Sequence, residues 1–325
     1  MSIPLAEWLA VMREDYLESY VPSGGAAVKF VVPIDNEVAV EERLAAAARE
    51  AGLLVATVDA AVTRVDRIQD LFFAVSKQVD WHQIATNVRE RAVMESEYTP
   101  PADQPLTFDA IAAANGDIAV PFVRRAMEEW FSERVFRDYQ MSREFRAAMS
   151  RLCFDPMVSG AGEQSLLLDN IIAWLQGELR LVSGVRSAAI YQKVARHNAR
   201  DLLLSLSHWL RFAGYQGLAV VVDIRATATK TRALAGDANY YSKAALYDLY
   251  EVIRQFIDAT DEMDGLFLVF VAPPDALEDD LRGLYIYRAL QMRIADEVRD
   301  RRRDNPLASL VRLDARGEPA PVGAP

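Results

Sequence analysis

Four short apolar runs are the feature of this sequence that most constrains its fold. They are rich in Val, Leu, Phe and Ala, and they lie at 27–32, 53–58, 217–223 and 265–272. Runs of this length and composition predict buried β-strands. Between the first two, residues 38–51 show an alanine-rich helical pattern that ends at Gly52. A strand, a helix and a strand with short connections form a βαβ unit, so the sequence predicts a parallel sheet in an α/β protein.

A long helical stretch interrupts this pattern. Residues 66–212 show helical periodicity and no convincing strand, with apolar stripes at 122–135 and around Trp174. We interpret this stretch as a helical insertion, after which the sheet resumes and ends with a short strand at 309–313. Further helices are predicted at 4–20, 243–259 and 284–301. The predicted domains are an N-terminal part of the α/β domain (1–65), an all-helical insertion (66–213), a C-terminal part of the α/β domain (214–314) and a disordered tail (315–325).

Charge and cysteine content exclude several classes of protein. The 325-residue chain has 36 Lys and Arg and 47 Asp and Glu residues, a net charge of −11. Such a chain repels phosphate backbones on average, so binding to DNA over its whole surface is disfavoured, whereas a local basic patch stays compatible. The single cysteine, Cys153, excludes an internal disulfide and cysteine-rich metal sites and suits a reducing cytoplasm. No apolar run reaches about 18 residues, so no membrane span is predicted.

The βαβ start and the later strand ending in Asp223 suggest the plan of a P-loop NTPase. In that plan the loop after the first strand reads G-x-x-x-x-G-K-S/T, whose backbone N–H groups, Lys and hydroxyl bind the phosphates and Mg²⁺. Here residues 33–42 contain no Gly, Lys, Ser or Thr, and they contain four acidic residues. A carboxylate 4 Å from a phosphate charge repels it by about 1 to 4 kcal/mol. The sequence therefore predicts a P-loop fold without phosphate binding.

Several segments resemble one known family. They are the entry to the first strand (21–32), Ile172–Glu178, the approach to Asp223 (214–218) and Asn305–Ala308 before the last strand. In order and spacing these segments resemble the BREX-system ATP-binding proteins of the BrxD-like type, over about residues 12–313. The resemblance implies a P-loop NTPase-like (AAA+-like) sheet. It also implies a protein partner from the same defence locus: a helicase, a methyltransferase or a larger ATPase.

The departures from that family concern its hydrolytic chemistry. Active members of the family have a complete P-loop and an acidic pair ending the Walker B strand, and often a polar residue ending the next strand. Here Ile224 follows Asp223, and the next strand ends at Val271 and Ala272. The resemblance and these departures together imply a non-catalytic P-loop ATPase-like subunit of an anti-phage system, with no cofactor, that binds a DNA-processing enzyme in the cytoplasm. The alternatives are an active ATPase with an unusual ATP–Mg site and a DNA-binding accessory protein.

Each of the remaining candidate sites has two interpretations, one structural and one functional. Asp223 is a degenerate Walker B remnant that either holds Mg²⁺ through water or caps the following loop. An arginine cluster is either a solvated helix face or a contact to nucleic acid or to a partner's nucleotide. A loop of basic and aromatic residues is either an ordinary surface loop or a platform for single-stranded bases. The cluster comprises Arg299, Arg301, Arg302 and Arg303, and the loop residues are Lys230, Arg232, Tyr240 and Tyr241. The three histidines and Cys153 are predicted to be structural.

Overall fold

The structure, a computed structural model, describes residues 2–35, 39–102, 104–159, 166–295 and 305–316. The chain divides into two compact units. The first unit comprises residues 1–75 and 215–325, and the second comprises residues 76–214. Among the described residues, no helix is long and apolar enough to cross a membrane.

The first unit contains a six-stranded sheet in which all paired strands are parallel. Its strands are β1 (Ile3–Pro4), β2 (Ala27–Pro33), β3 (Leu54–Asp59), β4 (Leu218–Asp223), β5 (Leu266–Val271) and β6 (Leu310–Asp314). The order across the sheet is β1-β6-β2-β5-β4-β3, so β5 and β4 lie between the two strands of the predicted βαβ unit. The prediction of a parallel α/β sheet is confirmed, and the architecture is consistent with a P-loop-like fold.

The helices lie in regions whose periodicity predicted helices, but their first and last residues differ from the predicted ones. The α-helices are α1 (Leu5–Val11), α2 (Val40–Glu50), α3 (Ile68–Ser76), α4 (Trp81–Glu95), α5 (Phe108–Ala114), α6 (Val120–Phe131), α7 (Arg143–Ser159), α8 (Leu166–Leu175), α9 (Ala199–Phe212), α10 (Arg232–Ala235), α11 (Lys243–Asp258), α12 (Asp275–Glu278) and α13 (Arg288–Ala295). Short 3₁₀ segments cover Val182–Ala188, Arg225–Ala228, Thr260–Glu262 and Leu284–Ile286, and π-helical segments cover Met12–Tyr20 and Ser132–Phe136.

Two sequence predictions of helix extent need correction. The helix predicted at 4–20 starts one residue later, because Ile3 and Pro4 pair with β6, and it continues from α1 into π-helical turns. The helix predicted at 284–301 is a 3₁₀ turn followed by α13, because the chain leaves helical geometry at Tyr287. Its residues 296–301 lie outside the described part of the chain, as do 317–325 of the predicted tail.

The central strands explain why their sequences are uninterrupted apolar runs. Every residue of β2 and β5 is buried, because both faces of these strands are covered. Lys29 is the one charged residue of β2, and only 3% of its surface is exposed. Its Nζ donates hydrogen bonds to Tyr16 Oη at 3.0 Å and to the carbonyl oxygens of Leu307 and Ala308. The ammonium therefore joins the π-helical segment to the residues that precede β6.

The second unit is built from helices in its described residues, which contain no strand. Its core is aromatic: Phe145 packs edge-on against Trp81 and Trp209, with ring centroids 6.3 and 6.4 Å apart. Cys153 is fully buried, as its apolar neighbours predicted. The apolar stripe predicted at 122–135 is buried except at Phe122, which is 68% exposed.

Candidate functional site

The carboxyl edge of the parallel sheet brings acidic side chains together. Asp59 ends β3 and Asp223 ends β4, and the two residues are register partners. The first turn of α2, which follows β2, contributes Glu41. Ligands of open α/β sheets bind at this edge. The candidate site therefore lies where a P-loop and a Walker B strand would meet.

One arginine joins two of these carboxylates. Arg225 Nε donates to Asp223 Oδ1 at 3.0 Å, and Nη2 donates to Asp223 Oδ2 at 2.7 Å. Nη2 also donates to the carboxylate of Glu41. The backbone N–H of Arg225 donates to Asp223 Oδ1 at 2.9 Å, so Asp223 also caps the turn after β4. We call Glu41, Asp223 and Arg225 the Arg225 bridge.

In the Arg225 bridge, the positive charge of Arg225 offsets the negative charges of Glu41 and Asp223. Burial raises the pKa of Glu41 above its usual range, the negative charge of Asp223 adds to this, and Arg225 opposes it. The hydrogen bond to Asp223 raises the pKa of Arg225, and the charges of Glu41 and Asp59 act in the same direction. The guanidinium therefore stays charged while it neutralises the carboxylates around it.

The residues that the structure describes at this edge do not fit Mg²⁺–ATP. In a P-loop site the first helical turn presents N–H groups and a Lys to the phosphates, and the Walker B carboxylate faces the metal. Here the first turn of α2 presents Glu41, and a guanidinium holds Asp223. Ile224, which directly follows Asp223, is buried, and β5 leads into buried Ala272. Among described residues, no group of three or more acidic, His or Cys side chains is placed to hold a metal.

The loop of basic and aromatic residues after β4 is partly helical, and it contains α10. The expectation that Tyr241 is exposed is wrong, since none of its surface is accessible. Its hydroxyl lies 2.9 Å from Ala60 O and 2.8 Å from Thr63 O, and Arg64 stacks on its ring at 5.0 Å. Burial raises the pKa of Tyr241 to about 12. Tyr241 therefore fixes the turn after β3 and is unavailable for stacking on bases.

The other loop residues are accessible. Tyr240 is half-buried, with the Arg282 guanidinium 5.7 Å from its ring. Lys230 has a side chain that is 63% exposed, and its Nζ lies 3.8 Å from carboxylates of Asp275 and Asp279. Arg232 is exposed at the start of α10. The structure brings Lys230 and Tyr240 to the same loop surface, while both Lys230 carboxylate contacts are long.

The arginine cluster lies outside the described residues. Its members are Arg299, Arg301, Arg302 and Arg303. Of the three histidines, His208 contacts Asp138 Oδ2 through Nε2 at 2.7 Å, as a structural role predicts.

Arg225 was not among the site residues predicted from the sequence, although a local signal was present. An Asp that ends a strand is followed two residues later by Arg in two places. Asp314 and Arg316 after β6 repeat the geometry of Asp223 and Arg225 after β4, with Nε–Oδ1 at 2.8 Å and Nη2–Oδ2 at 2.7 Å. The pattern Asp-x-Arg at the end of a strand therefore indicates a local ion pair.

Comparison with known proteins identifies the family. Residues 115–317 match the family model described as BREX system ATP-binding protein BrxC/D. No curated protein and no solved structure matches the chain. The matched region includes β4, β5 and β6 and most helices of the second unit, and it spans more than half of the chain. The protein therefore belongs to the BREX system ATP-binding protein BrxC/D family.

Proposed function

We propose that this protein is a non-catalytic P-loop ATPase-like subunit of a BREX anti-phage defence system. Family membership implies the role in a BREX system. The observation that carries the non-catalytic part of the proposal is the Arg225 bridge, in which Asp223 and Glu41 are bound to a cation of the protein itself.

Hydrolysis of ATP needs three features at this edge. A cation must bind the phosphates, a carboxylate must hold Mg²⁺, and a second polar group must orient the attacking water. Asp223 is engaged by Arg225, buried Ile224 replaces the second carboxylate, and Glu41 adds negative charge at the helix terminus. Each of these substitutions acts against a bound polyphosphate or against its hydrolysis.

The proposed mechanism is binding. The sheet, without ATP binding and hydrolysis, serves as a scaffold. The helical insertion at 66–213 and the 225–242 loop offer contact surfaces. The partner is a DNA-processing enzyme of the same locus: a helicase, a methyltransferase or a larger ATPase. That complex would also bring the protein to DNA. Arg299, Arg301, Arg302 and Arg303, with Lys230, Arg232 and Tyr240, remain the candidate contact residues.

A working ATPase with an unusual nucleotide site is the second candidate. The specific observation that favours it is the description of the family as ATP-binding. In this case Arg225 would have to leave Asp223 and contact the phosphates, because its present geometry occupies both Asp223 oxygens.

Calorimetry with Mg²⁺–ATP separates the two candidates. The non-catalytic proposal expects a Kd weaker than about 1 mM, which corresponds to a binding free energy smaller than about 4 kcal/mol. A micromolar Kd that is lost in Arg225→Ala, or ATP turnover that is lost in Asp223→Ala, would establish the working site instead. Co-purification with the products of neighbouring genes tests the partner, and absence of any stable complex contradicts the binding mechanism.

A further inference from the structure

An Arg–aromatic patch lies on the second unit. It is found around the end of the π-helical segment Ser132–Phe136, which continues α6. We define it by Arg134, Phe136, Arg137, Tyr139 and Arg143. All five residues are exposed. Phe136 is 63% exposed and Tyr139 is 82% exposed. These two exposed rings lie within four residues of each other, so they form a local cluster rather than scattered single residues.

Buried side chains and two contacts to α9 hold the patch in place. Val135, Met141 and Phe145 are buried, which anchors the chain on both sides of the exposed rings. The backbone N–H of Ser142 donates to Ser205 Oγ of α9 at 2.9 Å. The contact between Asp138 and His208 adds a second link to α9. The rings are therefore presented by a fixed segment.

A partly buried arginine lies between the two rings. The Arg146 guanidinium carbon is 4.8 Å from the ring centroid of Tyr139 and 6.0 Å from that of Phe136. Arg146 also donates to the carbonyl oxygen of Phe136. This arrangement keeps both rings next to positive charge and leaves their outer surfaces accessible.

Two charges of the patch, those of Arg137 and Arg143, are available for an anion. Arg137 and Arg143 form no ion pair with any residue in the described part of the chain. Two nearby carboxylates are already engaged, since Asp138 contacts His208 and Glu144 accepts a hydrogen bond from Gln192 Nε2 at 3.0 Å. Glu133 is the remaining acidic residue of the segment. In a chain of net charge −11, a surface with uncompensated arginines is a local exception.

We infer that the Arg–aromatic patch binds single-stranded nucleic acid. Bases stack on exposed aromatic rings whatever their sequence, and arginines between and beside the rings contact the phosphates. A protein partner with an acidic surface would match the arginines, but it would give no reason for two flat rings flanking one guanidinium. This site is separate from the Arg225 bridge, and the inference does not depend on the absence of ATP hydrolysis.

The test uses the full chain and a fluorescent oligothymidylate of about 20 nucleotides, longer than a typical single-domain site. Fluorescence anisotropy is measured over a salt series for three double variants. Phe136→Ala with Tyr139→Ala removes the rings, and Arg137→Gln with Arg143→Gln removes the charges. The matched control is Phe122→Ala with Arg125→Gln on α6, which removes a ring that is 68% exposed and an arginine that is ion-paired with Glu129.

The two test variants have different expected signatures. Loss of the rings weakens binding by about fivefold or more for each ring and leaves the salt slope unchanged. Loss of the arginines lowers the slope of log K against log salt by about 0.7 for each phosphate contact. The control binds as the wild type does. Circular dichroism melting curves check that all variants fold.

Three results would overturn the inference. The first is no binding of the oligothymidylate at low salt. The second is an equal loss of affinity in the control, which would place binding elsewhere. The third is competition by polyglutamate as effective as by oligothymidylate, with no effect of the ring substitutions, which would assign the patch to an acidic protein.

Discussion

Arg225 binds the carboxylate of Asp223 through two N–H donors, at 3.0 and 2.7 Å, in the turn that directly follows β4. Because a planar guanidinium fits both carboxylate oxygens at once, this pair has a defined geometry and is stronger than a single contact. The position of Asp223 at the edge of the sheet thus becomes part of the internal bonding of the fold. Substitutions here are expected to change stability as well as ligand binding.

Arg225→Ala is expected to lower the free energy of unfolding by about 1 kcal/mol at pH 7, a small value because the side chain is partly exposed. The variant leaves Glu41 and Asp223 without their shared cation. Since the pKa of Glu41 is already raised by burial, this carboxyl stabilises the fold relatively more below the ordinary Glu pKa and less as pH rises through its folded value. Urea unfolding at pH 7 and pH 4.5 should therefore show a smaller loss at the lower pH.

Glu41→Gln added to Arg225→Ala serves as the control for that prediction. The double variant removes the uncompensated carboxylate and should recover part of the lost stability at pH 7. If Glu41→Gln alone and the double variant differ by the same amount as wild type and Arg225→Ala, Glu41 and Arg225 are not coupled.

Glu251→Gln is expected to destabilise the first unit at neutral pH by about 1 to 2 kcal/mol. Hydrogen bonds from Arg254, and then from Tyr287 and Gln255, lower the pKa of Glu251 to about 2. For a carboxyl with a lowered pKa, the contribution to stability is complete above its ordinary value of 4.5 and is lost as pH falls through about 2.

The difference in unfolding free energy between wild type and Glu251→Gln should therefore shrink from pH 5 towards pH 2. Denaturant unfolding at several pH values measures it. Glu262→Gln, an exposed residue without an ion pair to any described residue, is the matched control and should be neutral throughout. A difference that stays constant with pH would contradict the role assigned to Glu251.

Lys29→Met should lower the free energy of unfolding by about 1 to 3 kcal/mol, because it removes the donor of three partly buried hydrogen bonds. Lys29 donates to Leu307 O and Ala308 O and to Tyr16 Oη. Tyr16→Phe removes only one of these partners and should cost less. Urea unfolding of both variants measures the two effects, and a Lys29→Met protein as stable as the wild type would show that the ammonium contributes nothing.

Cys153 should resist alkylation until the chain unfolds. The side chain is fully buried, and burial raises the pKa of its thiol to about 12, so the reactive thiolate is scarce in the folded protein. Mass spectrometry after treatment with N-ethylmaleimide measures the modified fraction with and without urea. Rapid and complete modification in buffer, with unchanged circular dichroism, would contradict the buried position.

The sheet could be predicted from the sequence because its central strands are covered on both faces. That environment requires continuous apolar side chains, as in β5, and the signal is therefore local. The contact of Arg225 with Glu41 joins positions that only the strand order brings together, so the sequence alone gave no indication of it. The burial of Tyr241 was missed because a tyrosine with a polar hydroxyl suits both a surface loop and an interior with carbonyl acceptors.

The order of strands also constrains how the protein is made. β2 leaves the ribosome before both of its neighbours, β5 and β6, which lie more than 230 residues later in the chain. Until they are synthesised, the edges of β2 have no strand to pair with, and its apolar side chains lack most of their cover. We expect the first unit to complete its sheet only after β5 and β6 have been synthesised, with the helices of residues 76–214 able to form before it.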